Sequence, residues 1–371
     1  MKPVFAGGGT GGHLAPAVAL LEELRKRGDD SGGLFLTAGP AAASLGRSVS
    51  AARVVSIPAG SFSPRRPWRI PSRLLRNWRG YRRSLEVLKE YRPDLVIGLG
   101  GYVSLPPLLA ARRLGIPAVC HEQNRVLGRA NRFLARGPVP VIASFPLKSP
   151  GIDPGRVVRL GTPVRRAALA PAPPGTRKTW GLEPGRFTLL VLGGSRGARA
   201  VNRLLETAAG IWSARGEAGE IQVIHCAGTE DSGLLERTYR EQGLSGVVFS
   251  SLEEIGWAYS LADLAVSRAG GATLSELAAW GLPSILIPYP FATGDHQLEN
   301  ARYFQEAGAA RVFSREEITP ELLVREVERI RAGRDLRREM SDAARSLHDP
   351  ESAGKIIDYL EGMLKSYDRS G

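Results

Sequence analysis

A chain of 371 residues, 43% hydrophobic and regularly punctuated by 44 glycines and 26 prolines, has room for two α/β domains of roughly 150 to 200 residues and is too apolar to be disordered. Its two cysteines, Cys120 and Cys226, each sit in an apolar strand-like run, which excludes a disulfide framework and points to a reducing compartment. The net charge of +13 predicts attraction to polyanions without separating nucleic acid, anionic lipid and phosphorylated substrates.

The first element is the run Val4-Phe5-Ala6, with neither a signal-peptide core nor a membrane-spanning length of apolar residues. It leads into Gly7-Gly8-Gly9-Thr10-Gly11-Gly12-His13 and then Ala15 to Leu21, which reads as strand, glycine loop and helix. Such a loop brings backbone N–H groups close to an oxygen-rich ligand at the positive end of a helix dipole. His13 adds a side chain able to take a proton near neutral pH. Gly7, Gly9 and Gly12 satisfy G-x-G-x-x-G, yet a dinucleotide site also needs an acidic residue about 20 positions on, and no Asp or Glu occurs from Ser31 to Leu85. A Walker loop would carry Lys and Ser or Thr where His13 and Leu14 stand.

Further strands are predicted at Gly33 to Thr37, Val54 to Ile57, Leu95 to Gly98, Ala118 to His121 and Val141 to Ala143, alternating with helices as in a covered parallel sheet. Between Arg65 and Arg83 stand eight arginines and no acids. In that block Leu74, Trp78, Tyr81, Leu85 and Leu88 recur at helical spacing and predict a stripe packed on the sheet, with Phe62, Trp68, Ile70 and Leu75 outside it. Gly100-Gly101-Tyr102-Val103-Ser104 and His121-Glu122-Gln123-Asn124 each end a strand at the edge shared with the opening loop.

After Thr162-Pro163-Val164-Arg165, the stretch Ala170 to Gly175 is rich in proline and suits an interdomain connection. A second series begins with Thr188 to Leu192, the loop Gly193-Gly194-Ser195-Arg196-Gly197-Ala198 and a helix from near Val201. Strands are predicted at Ile221 to His225, Val247 to Phe249, Leu264 to Ser267 and Ser284 to Ile287, with helices over Pro320 to Ala332, Asp335 to Leu347 and Pro350 to Tyr367. Two Rossmann-like halves facing each other would enclose one cleft walled by strand ends and glycine loops.

Ser267 to Glu276 carries two readings. Thr273 and Glu276 fit a T-x-x-E capping box. Alternatively, free N–H groups around Gly271 to Thr273 hold a diphosphate while Glu276 accepts two hydrogen bonds from a ribose diol. After the next strand, His296, Gln297 and Asn300 cluster at a helix start, where amides and imidazoles bind sugar hydroxyls.

Together these segments resemble the MurG family of UDP-GlcNAc-dependent glycosyltransferases of peptidoglycan synthesis. The matching pieces are GlyGlyThrGlyGlyHis at 8 to 13, GlyGlyTyrValSer at 100 to 104, HisGluGlnAsn at 121 to 124 with Gly128 and Asn131, GlyGlySer-x-GlyAla at 193 to 198, SerArgAlaGly at 267 to 270, and HisGln-x-x-AsnAla at 296 to 301. They span nearly the whole chain. The resemblance implies an α/β GT-B fold of two Rossmann-like domains, here 1–163 with a returning helix at about 350–371, and 164–349. It implies donor contacts from Ser195, from Gly271, Ala272, Thr273, Leu274, Ser275 and Glu276, from Leu252 at the uracil and from Gln297 at the sugar. Thr10, Gly11, Gly12, Asn124 and Arg165 would reach the donor from the first domain. Where the family has Gly-Asn-Pro-Val-Arg this chain has Gly161-Thr162-Pro163-Val164-Arg165, which keeps a hydroxyl and loses an amide.

The implied reaction is attack of the muramyl 4-hydroxyl of lipid I on the anomeric carbon of GlcNAc, with inversion and release of UDP. His13 is the expected base and Glu122 the alternative. No cofactor is implied, and no Asp-x-Asp pair appears, so no dedicated metal site is expected. The partners implied are UDP-GlcNAc, lipid I (undecaprenyl-pyrophosphoryl-MurNAc-pentapeptide) and an anionic membrane surface reached through Phe62, Trp68, Ile70 and Leu75 amid Arg65, Arg66, Arg69, Arg73 and Arg76, which places the protein peripherally on the cytoplasmic side of the membrane. Another GT-B transferase with a different acceptor is the nearest rival. A nucleic-acid-binding protein would leave three glycine loops unexplained, so no nucleic acid is expected as partner.

Overall fold

The computed structural model describes residues 1–8, 13–38, 52–61, 68, 70–148, 151–193 and 199–368. The chain divides into two units, Met1–Arg165 with Asp349–Gly371, and Arg166–His348.

The first unit is built on β1 (Pro3–Ala6), β2 (Gly33–Thr37), β3 (Ala52–Ser56), β4 (Leu95–Gly98), β5 (Ala118–Glu122), β6 (Val141–Ala143) and β7 (Val157–Arg159), in the sheet order β3-β2-β1-β4-β5-β6-β7. Every neighbouring pair is parallel. Strands covered on both faces read as unbroken apolar runs, and alternate side chains enter different cores. Val4 and Ala6 join Leu36, Val96 and Leu108 on one face, while Phe5 joins Phe35, Ile97 and Val119 on the other. The Phe5 and Phe35 rings stack at 5.3 Å between centroids. The last helix, Ser352–Asp368, closes this second core with Ile356, Ile357 and Leu360, none of them exposed. Its register against the helix Ala15–Lys26 is held by Arg27, which pairs with Asp358 at 2.6 Å and donates to the Gly354 carbonyl at 3.2 Å.

The second unit repeats the plan with β8 (Phe187–Leu192), β9 (Ile221–Cys226), β10 (Gly246–Phe249), β11 (Leu264–Ser267), β12 (Ser284–Leu286) and β13 (Ala310–Val312), ordered β10-β9-β8-β11-β12-β13 and again all parallel. Two strands escape the sequence reading, β7 and β13. Each is a partly exposed three-residue edge strand interrupted or ended by an arginine, Arg159 in β7 and Arg311 in β13, so neither reads as an unbroken apolar run.

No described helix is long and apolar enough to cross a membrane.

Candidate active site

In each sheet the chain order reverses beside the first strand, between β1 and β4 and between β8 and β11. Connections leaving such a pair run to opposite faces, which opens a crevice beyond the C-terminal strand ends, where ligands of parallel sheets bind. Four of the predicted glycine segments begin at these points, after β1, β4, β8 and β11.

In the first unit, Gly7 leaves β1 and the Gly100-Gly101 turn follows β4. Gly100 and Gly101 have φ of +84° and +74°, and a Cβ on Gly101 would stand 3.0 Å from the Gly8 carbonyl oxygen. Only glycine allows both the left-handed turn and this approach. His13 is half-buried at the far end of the loop, and its carbonyl accepts a hydrogen bond from Gln123 Nε2 at 3.1 Å. Gln123, which the sequence reading quoted only as part of a motif, thereby ties the opening loop to the end of β5. Thr10, Gly11, Gly12 and Ser195 lie outside the described residues.

Glu122 ends β5 and is 3% exposed. Its Oε1 accepts from the backbone N–H of Asn124 at 3.1 Å and from Asn124 Nδ2 at 2.9 Å. Its Oε2 accepts from the backbone N–H of Gly128 and from Asn131 Nδ2, both at 2.9 Å. Burial raises the carboxyl pKa, and these donors pull against that rise. With both oxygens doubly occupied, Glu122 organises the 123–131 loop. Asn124 turns its amide back onto this carboxylate. His121, 1% exposed and within 3.5 Å of the Gly161 carbonyl oxygen through Nε2, is brought down to a pKa of about 4 chiefly by burial and stays neutral inside the fold.

In the second unit, β11 passes through Arg268, Ala269 and Gly270 into the helix Gly271–Trp280. Gly270 is the N-cap, no side chain caps the helix, and the turn closes with Leu274 N–H on the Gly270 carbonyl at 2.9 Å. The N–H groups of Gly271, Ala272 and Thr273 therefore lack intrahelical acceptors at the positive helix end. Thr273 is the third helical residue, so the capping-box reading fails. Glu276 is instead held by Tyr259, whose hydroxyl donates to Oε2 at 2.7 Å. Leu274 is fully buried and Ser275 donates its hydroxyl to the Gly271 carbonyl at 3.0 Å, so both side chains face inward.

Asn300, 1% exposed, donates to the Ala269 carbonyl at 3.1 Å and braces the turn. Gln297 accepts the Tyr289 N–H through Oε1 at 2.9 Å, which fixes its amide orientation. Arg268 stacks on Tyr289, 4.8 Å from the ring centroid, and places a half-buried cation three residues before Gly271. The residue-by-residue reading passed over this arginine, although it is the one charged residue of its motif. Leu252 is half-buried in the loop after β10, and Arg165 is the half-buried last residue before the second unit.

The arginines of the block from Arg73 to Arg83 lie in the helix Ile70–Tyr91. The predicted stripe packs only from Tyr81 onward, because Leu74 and Trp78 are 55% and 52% exposed. They join Trp68, Ile70 and Leu75 in a solvent-facing apolar set among Arg73, Arg76 and Arg79. Phe62, Arg65, Arg66 and Arg69 lie outside the described residues.

Residues 4–141 match the glycosyltransferase family 28 N-terminal domain and residues 188–356 the glycosyltransferase family 28 C-terminal domain. A protein of Halothermothrix orenii named UDP-N-acetylglucosamine--N-acetylmuramyl-(pentapeptide) pyrophosphoryl-undecaprenol N-acetylglucosamine transferase is 34% identical, covering 98% of this chain and all of its own length. A protein of the same name from Desulfotalea psychrophila is 36% identical over 95% of this chain and 94% of its own. The crystal structure of MurG from Acinetobacter baumannii superposes with a TM-score of 0.72 at 26% identity, covering 97% of this chain and 99% of that one.

Proposed function

The chain belongs to glycosyltransferase family 28, and from that membership we propose that it moves N-acetylglucosamine from UDP-GlcNAc to the muramyl 4-hydroxyl of lipid I, with inversion, to give lipid II. It is a hexosyltransferase of peptidoglycan synthesis with a GT-B fold of two Rossmann-like domains. The observation that carries this reading is the end-to-end likeness to relatives bearing that transferase's name.

The second unit holds the donor. The N–H groups of Gly271 to Thr273 receive the diphosphate, and a helix terminus stabilises such charge by up to about 2 kcal/mol as it builds on the leaving group. Arg268 and Ser195 add to this cradle. Glu276, already oriented by Tyr259, takes the ribose hydroxyls. Gln297 presents its amide nitrogen to the sugar because its oxygen is engaged by Tyr289. Leu252 lies by the uracil. Thr10, Gly11, Gly12, Asn124 and Arg165 of the first unit complete the donor contacts, and the acceptor diphosphate lies near the opening glycine loop. His13 removes the proton of the attacking hydroxyl, leaving Glu122 to its loop.

The polyprenyl acceptor is membrane-bound, so the exposed Trp68, Leu74, Leu75 and Trp78 enter the cytoplasmic leaflet while the neighbouring arginines meet anionic headgroups at about 1 kcal/mol each. The decisive experiment is incubation with labelled UDP-GlcNAc and a lipid I analogue, with UDP-GalNAc and UDP-glucose as controls. Transfer from UDP-GlcNAc alone is expected, and absence of transfer to the lipid overturns the reading.

A further inference from the structure

The second unit carries another concave site, wide open to solvent, at the opposite ends of its strands from the helix start described above. Asp263 and Pro283, which directly precede β11 and β12, open onto a cavity of about 440 Å³ walled by the helix Arg334–Ser346. Arg334, Arg337, Arg338 and Arg345 line it from that helix at one-face spacing. Against four guanidinium groups the lining offers one carboxylate, Asp263, whose Oδ2 already accepts the Thr188 N–H at 2.8 Å. Arg337 is used internally, donating to the Ile330 carbonyl at 2.7 Å. Arg338 has only a 3.5 Å contact with Asp335, which is 88% exposed, a geometry worth little in water. The guanidinium groups of Arg334 and Arg345 have no hydrogen-bond or ion-pair partner among the described residues. Arg345 lies over Gly281, where φ is +61° and a Cβ would come within 2.4 Å of its Nε. A side chain at position 281 would push this guanidinium out of place.

Cations gathered in one pocket repel each other unless an anion neutralises them, and planar guanidinium groups match phosphate oxygens in bidentate pairs. We propose that this arginine-lined cavity is a second anion site, selective for a di- or triphosphate group and coupled to Glu276 through Tyr259. Tyr259 lines the cavity and also donates to Glu276 Oε2 at 2.7 Å. Trp280 and Gly281, at the cavity wall, terminate the same helix whose first turn presents the free N–H groups. An anion in the cavity would therefore sit against the C-terminal end of the cradle helix and beside the tyrosine that orients Glu276. The coupling rests on the donor-site reading, whereas the cavity itself does not.

Pyrophosphate is titrated into the full-length protein by calorimetry, with and without saturating UDP, in wild type, Arg334→Ala/Arg345→Ala and Tyr259→Phe. A binding component that persists under UDP and weakens by about tenfold or more in the double variant is expected. Arg334→Ala alone, at an exposed helix start, gives the same direction should Arg345→Ala impair folding. Linkage requires UDP and pyrophosphate to change each other's affinity by one common factor, and Tyr259→Phe should bring that factor close to one. If UDP itself does not bind, the donor reading fails while the arginine-dependent component still reports the cavity. Absence of any such component, or equal binding by the double variant, overturns the site. A coupling factor unchanged in Tyr259→Phe overturns the route.

Discussion

Glu122→Gln separates an organising carboxylate from a catalytic one. Each oxygen of Glu122 accepts two hydrogen bonds, so an amide in its place loses one whole pair, either from Asn124 or from Gly128 and Asn131, and sets its NH₂ against those donors. Hydrogen bonds to a buried charge contribute about 1.5–3 kcal/mol each, and removing the charge recovers part of its desolvation cost, which leaves a net loss of about 2–4 kcal/mol. For a unit of this size that lowers the melting temperature by roughly 5–15 °C. Scanning calorimetry of the full chain, alongside UDP titration and the transfer assay, measures it. The expected result is a destabilised protein whose UDP affinity is kept and whose turnover falls as the 123–131 loop loosens. A variant that melts with the wild type yet loses turnover a thousandfold would return Glu122 to the role of base and refute the reasoning.

His13→Ala should lower turnover by about 10²- to 10⁴-fold with UDP affinity unchanged, read by the transfer assay and calorimetry, and unaltered turnover removes His13 as base. His121 and His225 are buried, with pKa values brought down to about 4 and about 3 by desolvation. Because the unfolded chain takes up protons near pH 6.5 that the folded chain refuses, stability is full above that pH and falls toward pH 4 by about 1.4 kcal/mol per pH unit for each histidine. Urea midpoints measured from pH 7 to 4.5 check this, and a flat profile contradicts it. Leu74→Glu with Trp78→Glu should abolish flotation with anionic vesicles while leaving the melting temperature within a few degrees, since both side chains are more than half exposed.

The repeated plan of strand, glycine loop and helix is legible in the sequence because both signals are local. A parallel strand covered on both faces is a short unbroken apolar run, as in Leu95 to Gly98, and a left-handed turn such as Gly100-Gly101 announces itself by glycine. The motifs therefore located the crevice edges in both sheets. Edge strands β7 and β13 were not legible, because an arginine in each leaves no unbroken apolar run.

Which polar groups face a ligand is a different kind of question, decided by partners distant in the chain. Spacing alone offered Thr273 as a cap and made Leu74 a packed residue, while the family resemblance offered Glu122 as the alternative base. The tertiary structure puts the helix start at Gly270, surrounds Glu122 with four donors and leaves Leu74 in solvent. Tyr259 reaches Glu276 across 17 residues and Gln123 reaches His13 across 110. Periodicity records which face of an element is apolar, since burial acts on every turn alike. A single hydrogen bond between elements leaves no repeating trace, so the fold was written locally while the roles of its polar side chains were settled only when the elements packed.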